Sequence, residues 1–536
     1  MGLPLISQLG SDHLTLASAI SNYLKYPPSL GRISVVFMIK ATLIATLMTP
    51  PSPGGRELSA LPDAVEWLEV RSDLVGNLDP DWLRNRFGGR LLYALRGRAE
   101  GGNFEGSLSQ RHECLRRVAR SFDLIELQGE RDFSPDLLAE IPVEKRLVSW
   151  HGPASNLSEL KAKFTQLSAV PARIYKLVTT TARGSDELAP LSLLKSLGRS
   201  DTIAYSAGPL GFWSRLVAPH LGAPIIFGAI SNGSVTPTEP TIDKLIKDYG
   251  LPQLLPPEGI YGIVGSPVFH SLSPRLHNAA YRAMKYPALF VPFHVDSFSE
   301  FWHEVVRGGV LESLNMPIKG LTVASPHKEA ALLMSGTASQ MTRRAESANI
   351  LVRNNGSWMA DTTDPEIVFT ANRERGVLMK QKRAAVIGCG GAGRSMAAVL
   401  AGLGAGVTLV NRGAERGHHA AQLLDLPYIP LRGFSAEGYD IVVNATPVGR
   451  DDGEVPFKVE TLGEDAVIID LVYGSEPTPL VISARAREQV AIDGREVLLT
   501  QVLRQFQMMT GKEMPASLAR EKLGFKVEPS DFIAAG

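Results

Sequence analysis

AAVIGCGGAGRSMAAVLAGLGAGVTLVNRGAER, residues 384–416, decides how the second half of the chain folds. The apolar run from Ala384 to Ile387 predicts a buried strand, and Val407 to Val410 predicts another that ends at Asn411. Between them Gly388, Gly390 and Gly393 stand in G-x-G-x-x-G spacing, and a small-residue helix follows from Arg394. The glycines of such a turn let the backbone approach a pyrophosphate that faces the helix N-terminus. Gly388, Gly390, Gly391, Ala392 and Gly393 are therefore the candidate phosphate turn. The spacing alone is a weak signal, but here both strands stand at the right distances from it. An acid at the end of the second strand would suit a free ribose. This chain instead has Asn411, Arg412 and Arg416. Guanidinium groups suit a phosphate dianion, so the expected cofactor is NADP rather than NAD.

The 536 residues are too many for one ordinary domain, and two to four are expected. Lys+Arg and Asp+Glu both total 55, so no global field favours nucleic acid or an acidic membrane. The two cysteines, Cys114 and Cys389, lie far apart and indicate neither a disulfide framework nor a Cys-based metal site. The stretch from Ile33 to Met48 is broken by Lys40, and no apolar run reaches membrane-spanning length. A soluble, cytoplasmic protein is expected. Residues 1–37 faintly echo an organelle transit peptide, but an extension of little structural role fits them better, since Met38 directly precedes a strand-like run.

From there to about residue 250, short apolar strands recur with amphipathic stretches between most of them. Strands are expected near Ala41 to Leu47, Val65 to Arg71, Arg90 to Arg96, Phe122 to Leu127, Arg146 to His151, Ala172 to Val178, Thr202 to Tyr205 and Pro224 to Phe227. That alternation is the arithmetic of a (β/α)8 barrel, in which chemistry collects at the carboxyl ends of the strands. Arg71, Arg96, His151 and Lys176 stand at or near such ends, with Glu69 two before Arg71. Lys176 lies in RIYKLVTT, an otherwise apolar or hydroxyl-bearing strand. Burial of a lysine favours the neutral amine that forms imines with ketones. The same pattern also suits a lysine snorkelling from a strand end. His151, in LVSWHGP, reads more readily as a satisfied core histidine than as a base. Glu100, in RGRAEGG, is placed to pair with an arginine or a histidine.

Taken together, VEWLEVRSD, LLYALRGRAEGG, KRLVSWHG, ARIYKLVTTTA, IAYSAGPLGFWSR and VTPTEPTI resemble type I 3-dehydroquinate dehydratase from Met38 to Tyr249. The resemblance implies Lys176 as Schiff-base nucleophile and His151 as general acid/base, with Glu100 orienting it. It also implies Glu69 and Arg96 on substrate hydroxyls, Arg71 at the same strand end, and Arg215 on the substrate carboxylate. Glu239 stands where the family usually has Gln.

The segment LPQLLPPEG, residues 251–259, holds three prolines and reads as a linker. Beyond it, IVGSPVFHSLSPRLHN carries Ser271 and Ser273 in a turn before a helix. Hydroxyls and exposed amides there suit a carboxylate, although an ordinary N-capping turn has the same composition. SPHKEAA places Lys328 near a helix start, ESANI supplies Asn349, and ADTTDPE supplies Asp364.

This second half resembles shikimate dehydrogenase from about Ile260 onward. The family's ordered pattern is matched by Ser271, Lys328, Asn349, Asp364, Gly388, Arg412, Asn444, Tyr473 and Gln501. It implies Lys328 and Asp364 as the catalytic pair. Ser271 and Ser273 would hold the substrate carboxylate, Asn349 and Gln501 its hydroxyls, and Tyr473 would lie on the substrate side. Asn444, Ala445 and Thr446 would lie on the cofactor side. An ammonium held by a carboxylate can protonate the oxygen on which a hydride transfer builds charge. Ala324, Thr362 and Pro365 depart from the family's Thr, Asn and Gly.

The expected organisation is an extension (1–37), a barrel (38–250), a linker (251–259), a substrate lobe (260–366) and a dinucleotide domain (367–496), with C-terminal helices from about 497 to 525 returning to the lobe. The expected function is dehydration of 3-dehydroquinate to 3-dehydroshikimate, then NADPH-dependent reduction to shikimate. The expected partners are these small molecules. A metabolite sensor built from the same modules should have lost one of Lys176, His151, Lys328 and Asp364, and all four are present. An NAD-linked catabolic quinate or shikimate dehydrogenase is disfavoured by Arg412 and Arg416.

Overall fold

In the computed structural model, residues 38–525 are described apart from 155, 182, 184, 231–238, 451 and 475. The 1–37 extension lies outside the described residues. Eight strands follow: β1 (Thr42–Leu47), β2 (Val65–Arg71), β3 (Arg90–Ala94), β4 (Leu124–Gln128), β5 (Arg146–Pro153), β6 (Ile174–Thr180), β7 (Thr202–Ala207) and β8 (Ile225–Ala229). They form one parallel sheet in which each strand from β1 to β6 pairs with the next, and β8 pairs with β1. Among the described residues no ladder joins β7 to β8, and the eight strands with their helices make the (β/α)8 architecture. Every expected strand is present within a few residues. They read as nearly unbroken apolar runs because helices cover one face and the barrel interior the other.

The helix Ile242–Tyr249 shows how one connecting element is specified. Thr241 caps it by accepting a hydrogen bond from the Lys244 N–H at 3.1 Å, and Gly250, at φ 80°, ends it in the left-handed region. Ile242, Leu245 and Tyr249 recur at helical spacing and are buried. Truncating the fully buried Leu245 to Ala would cost about 2–5 kcal/mol. Asp248 on the same face accepts a hydrogen bond from Arg275 of the second half at 2.7 Å.

The proline-rich 251–259 segment is not the free linker its composition suggests. Gln253–Leu254 pairs antiparallel with Ile39–Lys40, and Ala41 N–H donates to the Pro252 carbonyl at 3.0 Å. Prolines lack a donor but keep an acceptor, and Leu251 and Leu254 are buried against the barrel.

The second half has two sheets. In the lobe, Ile260–Gly265 pairs in parallel with Leu289–His294 and Ile318–Val323, and Ile350–Asn354 and Ser357–Asp361 extend the sheet antiparallel. In the dinucleotide domain, six parallel strands run Tyr428–Pro430, Gly406–Asn411, Arg383–Ile387, Ile441–Asn444, Val467–Asp470, Ala491–Ile492 across the sheet. Numbered along the chain this is the order 3-2-1-4-5-6, and its switch point falls beside Gly388. The helix Gly494–Thr510 then returns to the lobe. Asp493 and Glu496 form a capping box at its start, and Leu498, Val502 and Phe506 pack with Tyr261 and Phe290. Among the described residues no helix is long and apolar enough to cross a membrane.

Candidate active sites

Residues two apart on a strand share a face, and this alternation gathers the barrel's polar groups at its carboxyl end. Glu69 and Arg71 from β2, His151 from β5 and Lys176, Val178 and Thr180 from β6 line a cavity of about 210 Å³. Arg96, Glu100, Arg215 and Glu239 line it too, with Thr46, Tyr205 and Phe227. The structure thus brings together every barrel residue singled out from the sequence.

At its floor Lys176 Nζ lies 3.3 Å from Glu126 Oε1 and 3.8 Å from Glu69 Oε1, and 4.3 Å from the centre of the Phe227 ring. The surroundings of Lys176 are therefore not the apolar ones that RIYKLVTT suggests. The difference arises because β4 and β2, neither of them adjacent to β6 in the sheet, supply the carboxylates. Glu126 also pairs with Arg96 at 3.5 Å. It was missed in the sequence, where an acid inside the apolar run LIEL is the available signal. Thr46 donates to the second Glu69 oxygen at 2.7 Å, and Arg71 is held on Asp73 by two hydrogen bonds of 2.9 and 2.8 Å.

His151 Nδ1 lies 3.0 Å from Glu100 Oε2, which also accepts the His151 backbone N–H at 3.1 Å. Burial, then the cations of Arg96 and Lys176, hold His151 well below the usual imidazole range, which keeps it a neutral base. Burial pushes the Glu100 carboxyl up to about 7, and the charge of Glu126 adds to this. Burial acts in the same direction on Glu126, but Lys176 first and Arg96 next hold it well below the carboxylate range. One carboxyl is thus permanently charged and the other poised near neutrality.

In the second half, Lys328 Nζ donates to Asp364 Oδ2 at 2.7 Å. Asn349 and Gln501 both donate to the other Asp364 oxygen, at 2.9 and 3.0 Å. Their amides, expected on substrate hydroxyls, here hold the Asp364 carboxylate. Thr363, absent from the sequence reading, accepts from Gln505 Nε2 at 2.9 Å and ties the same loop to the returning helix. Ser273 N–H donates to Ser271 Oγ at 3.2 Å, and both serines are buried. Burial raises the Tyr473 phenol, opposed by its hydrogen bond to Ser271, which sets Tyr473 beside the serine turn. Pro365 stands at the N-cap of helix Glu366–Arg375, where a missing N–H costs nothing. Thr362 sits within 3.4 Å of Ser395 Oγ, and Ala324 within the turn beside Gly265.

The glycine turn fits a dinucleotide. Gly388 has φ 103°, and a Cβ there would lie 2.7 Å from the Ala445 carbonyl. A Cβ on Gly393 would clash with the Gly388 carbonyl, whereas one on Gly390 would meet nothing within 4 Å, leaving an open cradle at the helix start. A Cβ on Gly391 would run into Ser347 and lie 3.2 Å from Lys328 Cβ, so the turn abuts Lys328. Arg412 and Arg416 are exposed beside the end of the second strand, and among the described residues neither forms an ion pair with an acid. They remain open to a phosphate.

Asn444, read on the cofactor side, is fully buried, donates to Asp470 at 2.9 Å and Val448 O at 3.2 Å, and accepts from Thr446 N at 3.1 Å. Its amide shapes the turn that presents Ala445 and Thr446. Asn411 acts similarly, accepting Cys389 N–H at 3.2 Å and donating to Gly413 O at 2.8 Å. A second residue missed in the sequence is Arg394. Buried at the start of helix Gly391–Gly402, it reaches Ala345 O at 2.8 Å and Glu329 at 2.6 Å and so ties the dinucleotide domain to the lobe.

A barrel with a lysine, carboxylates and a histidine in its mouth, followed by a two-lobed dinucleotide fold with a Lys–Asp pair, defines a two-module metabolic enzyme. Residues 56–256 match the type I 3-dehydroquinase family, and residues 263–351 match the shikimate dehydrogenase substrate binding domain. The shikimate dehydrogenase (NADP(+)) of Thermococcus kodakarensis is 32% identical over 267 residues, covering 49% of this chain and 94% of that protein. The bifunctional 3-dehydroquinate dehydratase/shikimate dehydrogenase, chloroplastic, of Arabidopsis thaliana is 26% identical over 458 residues, 80% of this chain and 74% of that one. The shikimate biosynthesis protein AroDE of Chlamydia pneumoniae is 25% identical over 446 residues, 82% of this chain and 89% of that one. The chain belongs to the shikimate dehydrogenase family and carries a type I 3-dehydroquinase domain ahead of it.

Proposed function

We propose that the chain catalyses two consecutive steps, dehydration of 3-dehydroquinate to 3-dehydroshikimate in the barrel and NADPH-dependent reduction of that product to shikimate in the second half. The observation that supports this most is that one chain carries both charge clusters intact, Lys176 with Glu126 beside the His151–Glu100 pair, and Lys328 with Asp364.

In the barrel, Lys176 Nζ condenses with the ketone of the substrate and releases water. The resulting protonated imine is an electron sink for the adjacent carbon. His151 takes the proton from that carbon and returns it to the departing hydroxyl, with Glu100 orienting the ring. Hydrolysis of the imine consumes the first water and frees Lys176, so the net change is loss of one water. Arg215 takes the carboxylate, and Glu69, Arg71, Arg96 and Glu239 line the remaining wall.

In the second half, the glycine turn, Thr446, Arg412 and Arg416 would hold NADPH, which supplies a hydride to the ketone carbon. Ser271, Ser273 and Tyr473 form the carboxylate end of the substrate site. Lys328 delivers its proton to the ketone oxygen as charge develops there, and Asp364 holds it in line. The module limits follow the sequence reading, a barrel over 38–250, a lobe over 260–366 and a dinucleotide domain over 367–496, in a cytoplasmic protein acting on small molecules. Supplying 3-dehydroquinate and NADPH together tests the whole reading. Transient enone absorbance followed by stoichiometric NADPH loss is expected, and absence of either signal from correctly folded protein rejects it.

A further inference from the structure

The helix Gly208–Val217 serves both halves of the chain. Residues Gly211 to Val217 are all buried. Its Arg215 reaches the barrel pocket, with the guanidinium carbon 4.7 Å from the centre of the Tyr205 ring. At about 100° per helical residue, Trp213 projects roughly opposite Arg215, and Phe212 lies between the two directions. Both rings meet the other half. Phe212 lies 4.9 Å from Phe269, and Trp213 lies 5.1 Å from Phe293, between ring centres. Phe269 stacks on His294 at 5.3 Å, and its carbonyl accepts a hydrogen bond from Lys244 of the barrel.

The barrel's own hold on this helix comes through Ser214, roughly opposite Phe212, and through Glu187. Ser214 Oγ accepts from Ser206 N–H at 2.9 Å and donates to Gly211 O at 2.7 Å. Trp213 Nε1 donates to Glu187 at 3.0 Å. The helix is thus clamped between β7 and a wall of aromatic side chains that a free-standing barrel would lack.

We propose that Phe269, stacked on His294, is a positioning residue for the dehydratase, holding the helix so that Arg215 meets the substrate carboxylate. This rests on the reading of Arg215 as the carboxylate-binding group. A guanidinium–carboxylate contact is bidentate and directional, so a small shift of the helix axis weakens it. The lobe therefore completes a site on the barrel while contributing no atom to it.

The test uses the full chain with Phe269→Ala, the milder Phe269→Leu, Arg215→Ala and the Phe269→Ala/Arg215→Ala double variant. Phe269→Ala should raise the dehydratase KM for 3-dehydroquinate about fivefold while kcat stays within about twofold, the split expected for lost binding rather than lost chemistry. Phe269→Leu should move KM in the same direction by less. The double variant should be no worse than Arg215→Ala alone, because the ring acts through the arginine. An unchanged KM in both Phe269 variants overturns the proposal, as does an additive loss in the double variant or a fall in kcat alone. An unchanged KM in Arg215→Ala instead overturns the assignment of Arg215, whatever the Phe269 variants do.

Discussion

Lys176 Nζ stands 3.3 Å from Glu126 Oε1, and both residues are 2% exposed. The barrel has buried a charge pair at the foot of its cavity, where the partner of each ion is indispensable. Glu126→Gln should lower stability by about 3–5 kcal/mol, the cost of leaving a buried ion without its partner, and should lower dehydratase kcat as well. Thermal unfolding and steady-state kinetics on the same preparation check both. A variant as stable and as active as the parent would show that Glu69 alone suffices for Lys176.

Covalent catalysis is tested at Lys176 itself. Borohydride added during turnover of 3-dehydroquinate should reduce the imine and leave the ligand attached to Lys176, detectable by peptide mass. Lys176→Ala should lose dehydratase activity and the label together. Retained turnover in that variant would exclude the imine route.

The pH dependence follows from Glu100. Its carboxyl is raised from 4.5 to about 7 by burial, so it binds a proton more tightly folded than unfolded. The stability it contributes is fully present below pH 4.5 and is lost as pH rises through 7. Activity should run the other way, because ionised Glu100 accepts the Nδ1 proton of His151 and leaves the other ring nitrogen free as base. Dehydratase kcat/KM should rise through about pH 7. Glu100→Gln should remove that limb and reduce kcat about tenfold or more. An identical profile in the variant would assign the limb to another group.

Lys328→Ala should reduce the shikimate dehydrogenase activity about a hundredfold or more and leave dehydration nearly unchanged. Lys328 touches Asp364 and abuts the glycine turn, and it lines neither the barrel cavity nor the aromatic seam. Separate assays of the two steps decide. Parallel loss of both activities would indicate a folding defect or a shared site.

Arg412→Ala and Arg416→Ala should each raise KM for NADPH about tenfold, with KM for NADH little changed, because a charge-assisted phosphate contact is lost. Equal weakening of both cofactors would make these arginines general electrostatic attractors and remove the basis for NADP selectivity.

Glu239, which follows β8 in the chain, offers a further test. It lines the barrel cavity together with Arg215, and an ionised carboxylate only accepts hydrogen bonds, whereas an amide also donates. Glu239→Gln should therefore lower the dehydratase KM. An unchanged KM would place Glu239 away from the bound substrate.

The two module types were legible in the amino-acid order because their signals are local. A glycine turn between two apolar runs, and recurring apolar strands with Arg71, His151 and Lys176 at or near their ends, need only neighbours in the chain to be read. Tertiary structure alone decided how these ends are used. Glu126 reaches Lys176 across fifty residues of sequence, and Gln501 reaches Asp364 across 137. Neither pairing leaves a periodic trace, because side-chain charge is matched between elements rather than along one. That Asn444 is buried and holds the turn before Ala445 is likewise not written in its own stretch, since exposure depends on the strands beside it. The proline-rich 251–259 segment looked free and proved to be paired, because carbonyls that proline retains found a donor at Ala41. Which residues stand at strand ends is written in the chain's periodicity. Which of them share a pocket, and which helix carries Arg215 against Phe269, is set by packing between distant segments, where burial turns proximity into energy.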